Sequence, residues 1–133
     1  MKKNILIAII LLACSPLPAE PLDEAKKAYR QSQYEKTIEI LDPLAQAEAK
    51  DAEIFLLLGH ATAKLEKWPQ AIAAFEKAAE LDPASLAAHL QLGFLYEKTK
   101  EPEKAKAAWQ KVLSLAKNEK TKKLAQKHLI NLK

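Results

Sequence analysis

The chain holds one thiol, Cys14, at the end of the apolar run Ile5–Ala13, and no other nucleophile in it has surroundings that suggest a reaction. Without a second cysteine an intrachain disulfide is excluded, so the sulfur is free for covalent modification. The other candidates fall away on spacing. His60, His89 and His128 show no His-x-x-x-His or cysteine-rich pattern of the kind that gathers metal ligands. Ser32, Ser85 and Ser114 have no Gly-x-Ser-x-Gly context, and two glycines are too few for a phosphate-cradling loop. Asp42, Asp51 and Asp82 lie near expected helix boundaries, where capping accounts for them. No catalysis, metal or cofactor is expected.

Met1-Lys-Lys-Asn ahead of nine apolar residues has the charged start and short apolar centre of a secretory signal. About 20 residues are needed to cross a bilayer, so the run is too short to span one. Leu11-Leu12-Ala13-Cys14 resembles the lipobox of bacterial lipoprotein precursors. The resemblance implies cleavage behind Ala13 and transfer of a diacylglyceryl group to the Cys14 sulfur. Residues 1–13 are then a signal peptide, and residues 14–21 a lipidated cysteine with a tether stiffened by Pro16, Pro18 and Pro21. It also implies an outer membrane, because Ser15 stands where an aspartate would retain such proteins at the inner membrane of enteric-type bacteria. The alternative is ordinary cleavage after Ala19, giving a soluble periplasmic protein. Leu17, where a small residue is preferred, and Pro21 oppose it.

A length of 133 residues suits one domain. Leu, Ala, Lys and Glu dominate and aromatics make up 6%, a balance that favours an all-α fold over sheets. The net charge of +4 is unevenly spread. Lys117–Lys133 carries six lysines against Glu119, while the part between the signal and that tail is mildly acidic. A basic excess confined to one terminal helix does not suit nucleic-acid binding.

An internal period of 34 residues organises the rest. It relates Ala25, Gly59 and Gly93; Tyr34, Trp68 and Pro102; Thr37, Ala71 and Ala105; Leu41, Phe75 and Trp109; and Leu44, Ala78 and Val112. The units run 18–51, 52–85 and 86–119. They resemble the tetratricopeptide repeat, whose signature the middle unit carries at Phe55, Leu58-Gly59, Ala71, Phe75, Ala78 and Pro83, departing from it at Thr62. The third unit carries Leu92-Gly93, Tyr96, Ala105 and Trp109, with His89 and Lys117 off pattern. The first keeps only Ala25, Tyr34, Leu41 and Leu44, as suits a terminal repeat.

The resemblance implies a right-handed superhelical array of antiparallel helix pairs. Three repeats would cover 22–116, with helices at 22–32, 35–48, 52–65, 69–80, 86–98 and 102–116. A basic C-terminal capping helix would follow within 117–133, amphipathic through Leu124, Ala125, His128, Leu129 and Leu132. Small residues at Gly59, Gly93, Ala71 and Ala105 allow close helix crossings, with Leu41, Phe75 and Trp109 expected to fill the gaps between neighbouring pairs. Ser85 can cap the helix after Leu81-Asp82-Pro83.

In that family the first helix of each pair lines a concave groove. Carried over, the groove residues are Leu22, Lys26, Tyr29 and Arg30; Glu53, Leu56, His60, Ala63 and Lys64; and Ala87, Leu90, Phe94, Glu97 and Lys98. They contain a leucine ladder at 22, 56 and 90 and a cationic ladder at 30, 64 and 98. Ile54–Leu58, five apolar residues in a row, sweeps the whole helix circumference and cannot all face a core. The ladders suit a partner segment with leucine-like and acidic side chains. Equally, the leucines can be helix formers partly covered by the capping helix. The family's clamp for acidic C-termini needs groove asparagines, and Asn4, Asn118 and Asn131 do not supply them. The expected function is a non-enzymatic adaptor: a lipoprotein of the bacterial cell envelope that binds another envelope protein or peptide. The alternative is a structural protein that assembles into homo-oligomers.

Overall fold

Asp51, Ser85 and Asn118 each place a side-chain oxygen at a helix start. They accept from the backbone N–H of Glu53 at 2.9 Å, Ala88 at 3.2 Å and Thr121 at 2.8 Å. Such bonds satisfy amides that the first turn of a helix leaves without intrahelical partners. The computed structural model describes residues 20–133 as seven helices. They are α1 Pro21–Arg30, α2 Tyr34–Gln46, α3 Ala52–Lys64, α4 Trp68–Leu81, α5 Leu86–Lys98, α6 Pro102–Leu115 and α7 Glu119–Asn131. No strand occurs among the described residues. The bounds lie within two residues of those the sequence suggests, with one correction. Pro21, expected to close the tether, opens α1, because a proline at the first helical position lacks only an amide that would have gone unpaired anyway. The signal segment and Cys14 lie outside the described residues.

Three-residue turns fold consecutive helices back on each other. Their central residues, Ser32, Glu66 and Lys100, are left-handed at φ 58°, 58° and 60°, and they stand 34 residues apart. The N–H of the next residue returns to the preceding helix each time: Gln33 to Ala28 O at 2.9 Å, Lys67 to Thr62 O at 3.0 Å, Glu101 to Tyr96 O at 2.8 Å. This closes the helix C-terminus and fixes the reversal, with α1/α2, α3/α4 and α5/α6 as the pairs. Pairs then stack through α2 on α3, α4 on α5 and α6 on α7, and α1 also reaches α3.

Each pair is held by a large side chain lodged on a small residue. The Phe75 ring of α4 lies on Gly59 of α3, and the Trp109 ring of α6 lies on Gly93 of α5. Leu41 and Ala25 occupy the same positions in the first pair, both fully buried. These rings were expected between neighbouring pairs. The structure places them primarily inside their own pair, where a glycine leaves the room. Phe75 also joins the buried cluster of Leu92, Leu95 and Tyr96 on the next pair.

The capping helix continues the period. Leu124 and His128 of α7 follow Leu90 and Phe94 by 34 residues, so α7 takes the place of the first helix of a fourth unit. Lys127 stands at the position of Gly93, where a second helix would have to cross. Ile130 stands at the position of buried Thr62 and Tyr96 and is 64% exposed.

Candidate functional site

The first helices, α1, α3, α5 and α7, carry side chains that touch between α1 and α3 and again between α5 and α7. Lys26 Nζ on α1 pairs with Glu53 on α3 at 2.9 Å. The Tyr29 ring centre is 6.4 Å from that of His60, and His60 stands edge-on to Phe75 at 5.0 Å. Further along, Phe94 stands edge-on to Trp109 at 4.9 Å and to His128 at 5.2 Å, while His128 stacks flat on Trp109 at 4.1 Å. Glu97 gathers this end. Its carboxylate accepts from Trp109 Nε1 at 2.9 Å and from His128 Nδ1 at 2.8 Å, tying α5, α6 and α7 together.

Electrostatics divide the row. Burial pushes the His60 imidazole below its ordinary pKa, and the Lys64 ammonium adds to the shift, so a neutral ring stands in mid-row. Lys26 is raised by its bond to Glu53. Arg30, Lys64 and Lys98 are exposed at the edge. Lys98 lies over the Trp68 ring at 4.6 Å, while Arg30 and Lys64 form no ion pair among the described residues.

The residues the sequence nominates thus fall on neighbouring helices, in unequal condition. Leu22, Leu56 and Leu90 are half-buried and pack against the core clusters, so they are partly structural. In the run Ile54–Leu58, Ile54 and Phe55 are buried and the three leucines are half-buried. Lys26 and Glu53 are engaged with each other, and Glu97 is engaged with Trp109 and His128. What stays open is Phe94 at 39% exposure, with Trp109 and His128 as its ring neighbours. Trp68 and His128 were not anticipated in the row. For His128 the signal was present in the 34-residue ladder through His60 and Phe94. The larger clefts open elsewhere. One of about 650 Å³ lies among Ala45, Ala49, Phe55 and Leu81, and none of the nominated residues lines it. No described helix is long and apolar enough to cross a membrane, and no His, Cys, Asp and Glu cluster among the described residues could hold a metal.

Short antiparallel helix pairs stacked at a fixed period, with a shared face of first helices, define a solenoid of the protein-interaction class. Two family models match, one described as TPR repeat over residues 59–100 and one as tetratricopeptide repeat over residues 86–119. Residues 59–119 belong to the tetratricopeptide repeat family, and the described chain as a whole has that family's fold.

Among curated relatives, superkiller complex protein 3 of Mus musculus is 35% identical over 77 residues, which are 58% of this chain and 5% of that protein. Tetratricopeptide repeat protein 37 of Xenopus laevis is 32% identical over 97 residues, 71% of this chain and 6% of that protein. The chain therefore spans about a twentieth of the length of these relatives. Among solved structures, the Arabidopsis OM64 TPR domain superposes with a TM-score of 0.73 at 23% identity, over 84% of this chain and 92% of that one. The Yersinia enterocolitica type III secretion chaperone SycD in complex with a peptide of the translocator YopD gives 0.73 at 18%, over 84% and 88%. The first TPR of Spaghetti (RPAP3) bound to an HSP90 peptide gives 0.73 at 19%, over 84% and 90%. At these identities the likeness establishes the fold.

Proposed function

We propose that the protein is a non-enzymatic adaptor that holds a peptide or protein segment against the face of its first helices. The observation that carries this reading is that the first helices present an exposed aromatic ring, Phe94 at 39%, together with exposed Arg30 and Lys64, which have no ion-pair partners among the described residues. An apolar strip flanked by unneutralised cations suits a segment with leucine-like and acidic side chains. Two of the solved neighbours carry bound peptides, which supports the same use of the fold here. The charged start, apolar run and Leu-Leu-Ala-Cys pattern support anchoring through lipid on Cys14 in a bacterial envelope, on the periplasmic face of the outer membrane, with another envelope protein as partner. Lys127 at the glycine position opposes end-to-end growth of the array by a second copy, which weighs against the self-assembling alternative.

The test is recovery of partner from membranes by the intact lipidated protein. Lys64→Glu with Leu56→Ala should abolish recovery while leaving helicity and membrane fractionation unchanged. Undiminished recovery would move the contact off this face. Cys14→Ala should leave the precursor uncleaved and absent from the mature membrane pool, and normal fractionation of that variant would end the lipid-anchor reading.

A further inference from the structure

The middle unit departs from its repeat pattern at Thr62, and the structure shows the consequence. One period later, Tyr96 of α5 fills the junction between the second and third pairs. It is 7% exposed, its hydroxyl donates to the carboxylate of Glu76 on α4, and Lys104 Nζ lies 5.5 Å from its ring centre. At the preceding junction Thr62 replaces that tyrosine. Its hydroxyl turns back to its own helix, to Leu58 O at 2.7 Å and Gly59 O at 3.0 Å, and sends nothing across. A cavity of about 220 Å³ is left, lined by Ile38, Asp42, Leu58, Thr62, Lys67 and Gln70.

Four of those six lining residues stand one period before the surroundings of the buried tyrosine, and Thr62 stands one period before the tyrosine itself. Asp42 corresponds to Glu76, Leu58 to Leu92, Thr62 to Tyr96, Lys67 to Glu101 and Gln70 to Lys104. The cavity is therefore the mould of a tyrosine side chain that the second pair does not supply, and a carboxylate stands at the position that accepts the phenol hydroxyl. Cavities of roughly 150 Å³ accommodate a benzene ring, so the volume is sufficient. The walls at Ile38 and Leu58 are apolar, and the rim is polar. We propose that this cleft between α2 and α3 is a binding site for a tyrosine side chain presented by a partner protein, with Asp42 accepting its hydroxyl. The chain's own neighbouring tyrosines are otherwise engaged, since Tyr29 and Tyr34 pack edge-on at 5.4 Å. The site is separate from the first-helix face and does not depend on it. A phenolate-free hydroxyl against a carboxylate is a charge-assisted bond, which distinguishes tyrosine from phenylalanine.

Titration of the full-length protein with p-cresol and with toluene, followed through backbone amide signals, tests the proposal. p-Cresol should shift the signals of Ile38–Asp42 and Leu58–Thr62 saturably, with a dissociation constant on the order of millimolar for so small a probe. Toluene should bind several-fold more weakly. Asp42→Ala, at an exposed position, should remove that preference and leave the melting temperature nearly unchanged. Thr62→Tyr should abolish the shifts and raise the melting temperature by filling the mould. Absence of shifts at these residues, equal binding of the two probes, or an unchanged preference in Asp42→Ala overturns the proposal. So does a folded Thr62→Tyr protein that still binds p-cresol, and the Asp42 arm decides the matter if Thr62→Tyr does not fold.

Discussion

A Cβ placed on Gly93 would lie 2.7 Å from Cε2 of Trp109, and one on Gly59 would lie 2.8 Å from the Phe75 ring. Carbon atoms do not approach so closely, and both rings are fully buried, so neither can retreat without disturbing its neighbours. Gly93→Ala should therefore destabilise the fold by about 1–3 kcal/mol through overpacking, outweighing the gain in helix propensity from alanine. Thermal unfolding followed by circular dichroism would read this as a drop of roughly 3–15 °C. An unchanged midpoint would mean that Trp109 moves aside freely.

Lys100 offers the opposite case. It is exposed, and its φ of 60° is a conformation that costs an L-residue roughly 1–2 kcal/mol and a glycine very little. Part of the gain from a glycine there is offset by its greater freedom in the unfolded chain. Lys100→Gly should raise the midpoint by a few degrees, and Lys100→Val should lower it, because a branched Cβ fits the left-handed region worst. Glu66 and Ser32, one and two periods earlier, should respond in the same sense.

These turns also mark the limit of what the chain declares in its letters. The helix pairs are legible because small and large residues recur every 34 positions, and the caps at Asp51 and Ser85 are legible because their side chains act locally. The left-handed turns at Ser32, Glu66 and Lys100 give no such sign, since the usual glycine is missing and the conformation is imposed by the packing of the helices on either side. Ring partners were legible only in part. Spacing places Phe75 and Trp109 in the core, but which glycine each ring lies on depends on the three-dimensional crossing. Glu97 shows the same limit at the site: its position marks it as facing the groove, while its engagement by Trp109 and His128 depends on α7 arriving 31 residues later.

His60 makes stability depend on pH. Burial, with help from Lys64, holds its folded pKa below the ordinary 6.5. As pH falls through 6.5 the unfolded chain takes up the proton before the folded chain does, so the stability present above that pH is lost on acidification. His60→Phe, which copies the residue at Phe94, removes this contribution. The melting temperature of the variant should fall less than that of the parent between pH 7.5 and pH 5.5, all other titrating groups being shared. Equal losses in the two proteins would show that His60 titrates alike in the folded and unfolded states. Lys64→Gln should weaken the parent's dependence without eliminating it, because burial is the larger cause.

Glu97 is the hinge pin of the C-terminal end. Its carboxylate accepts two N–H groups, from Trp109 at 2.9 Å and His128 at 2.8 Å, and α7 packs otherwise mainly on α6. Hydrogen bonds to a charged group contribute more than neutral ones, and removing the acceptor leaves the buried indole N–H without its partner. Glu97→Ala should cost about 2–4 kcal/mol, and the loss should be local. Amide exchange should accelerate through Glu119–Asn131 far more than through α1 to α4, which contribute no hydrogen bond to the network. Glu97→Gln should be milder, since its amide oxygen can still accept from the Trp109 N–H while its NH2 group faces a His128 tautomer with Nδ1 unprotonated. The order expected for exchange in α7 is therefore parent, Glu97→Gln, Glu97→Ala, from slowest to fastest. If exchange rose evenly along the whole chain, α7 would be unfolding together with the array, and the carboxylate would not be what holds it in place.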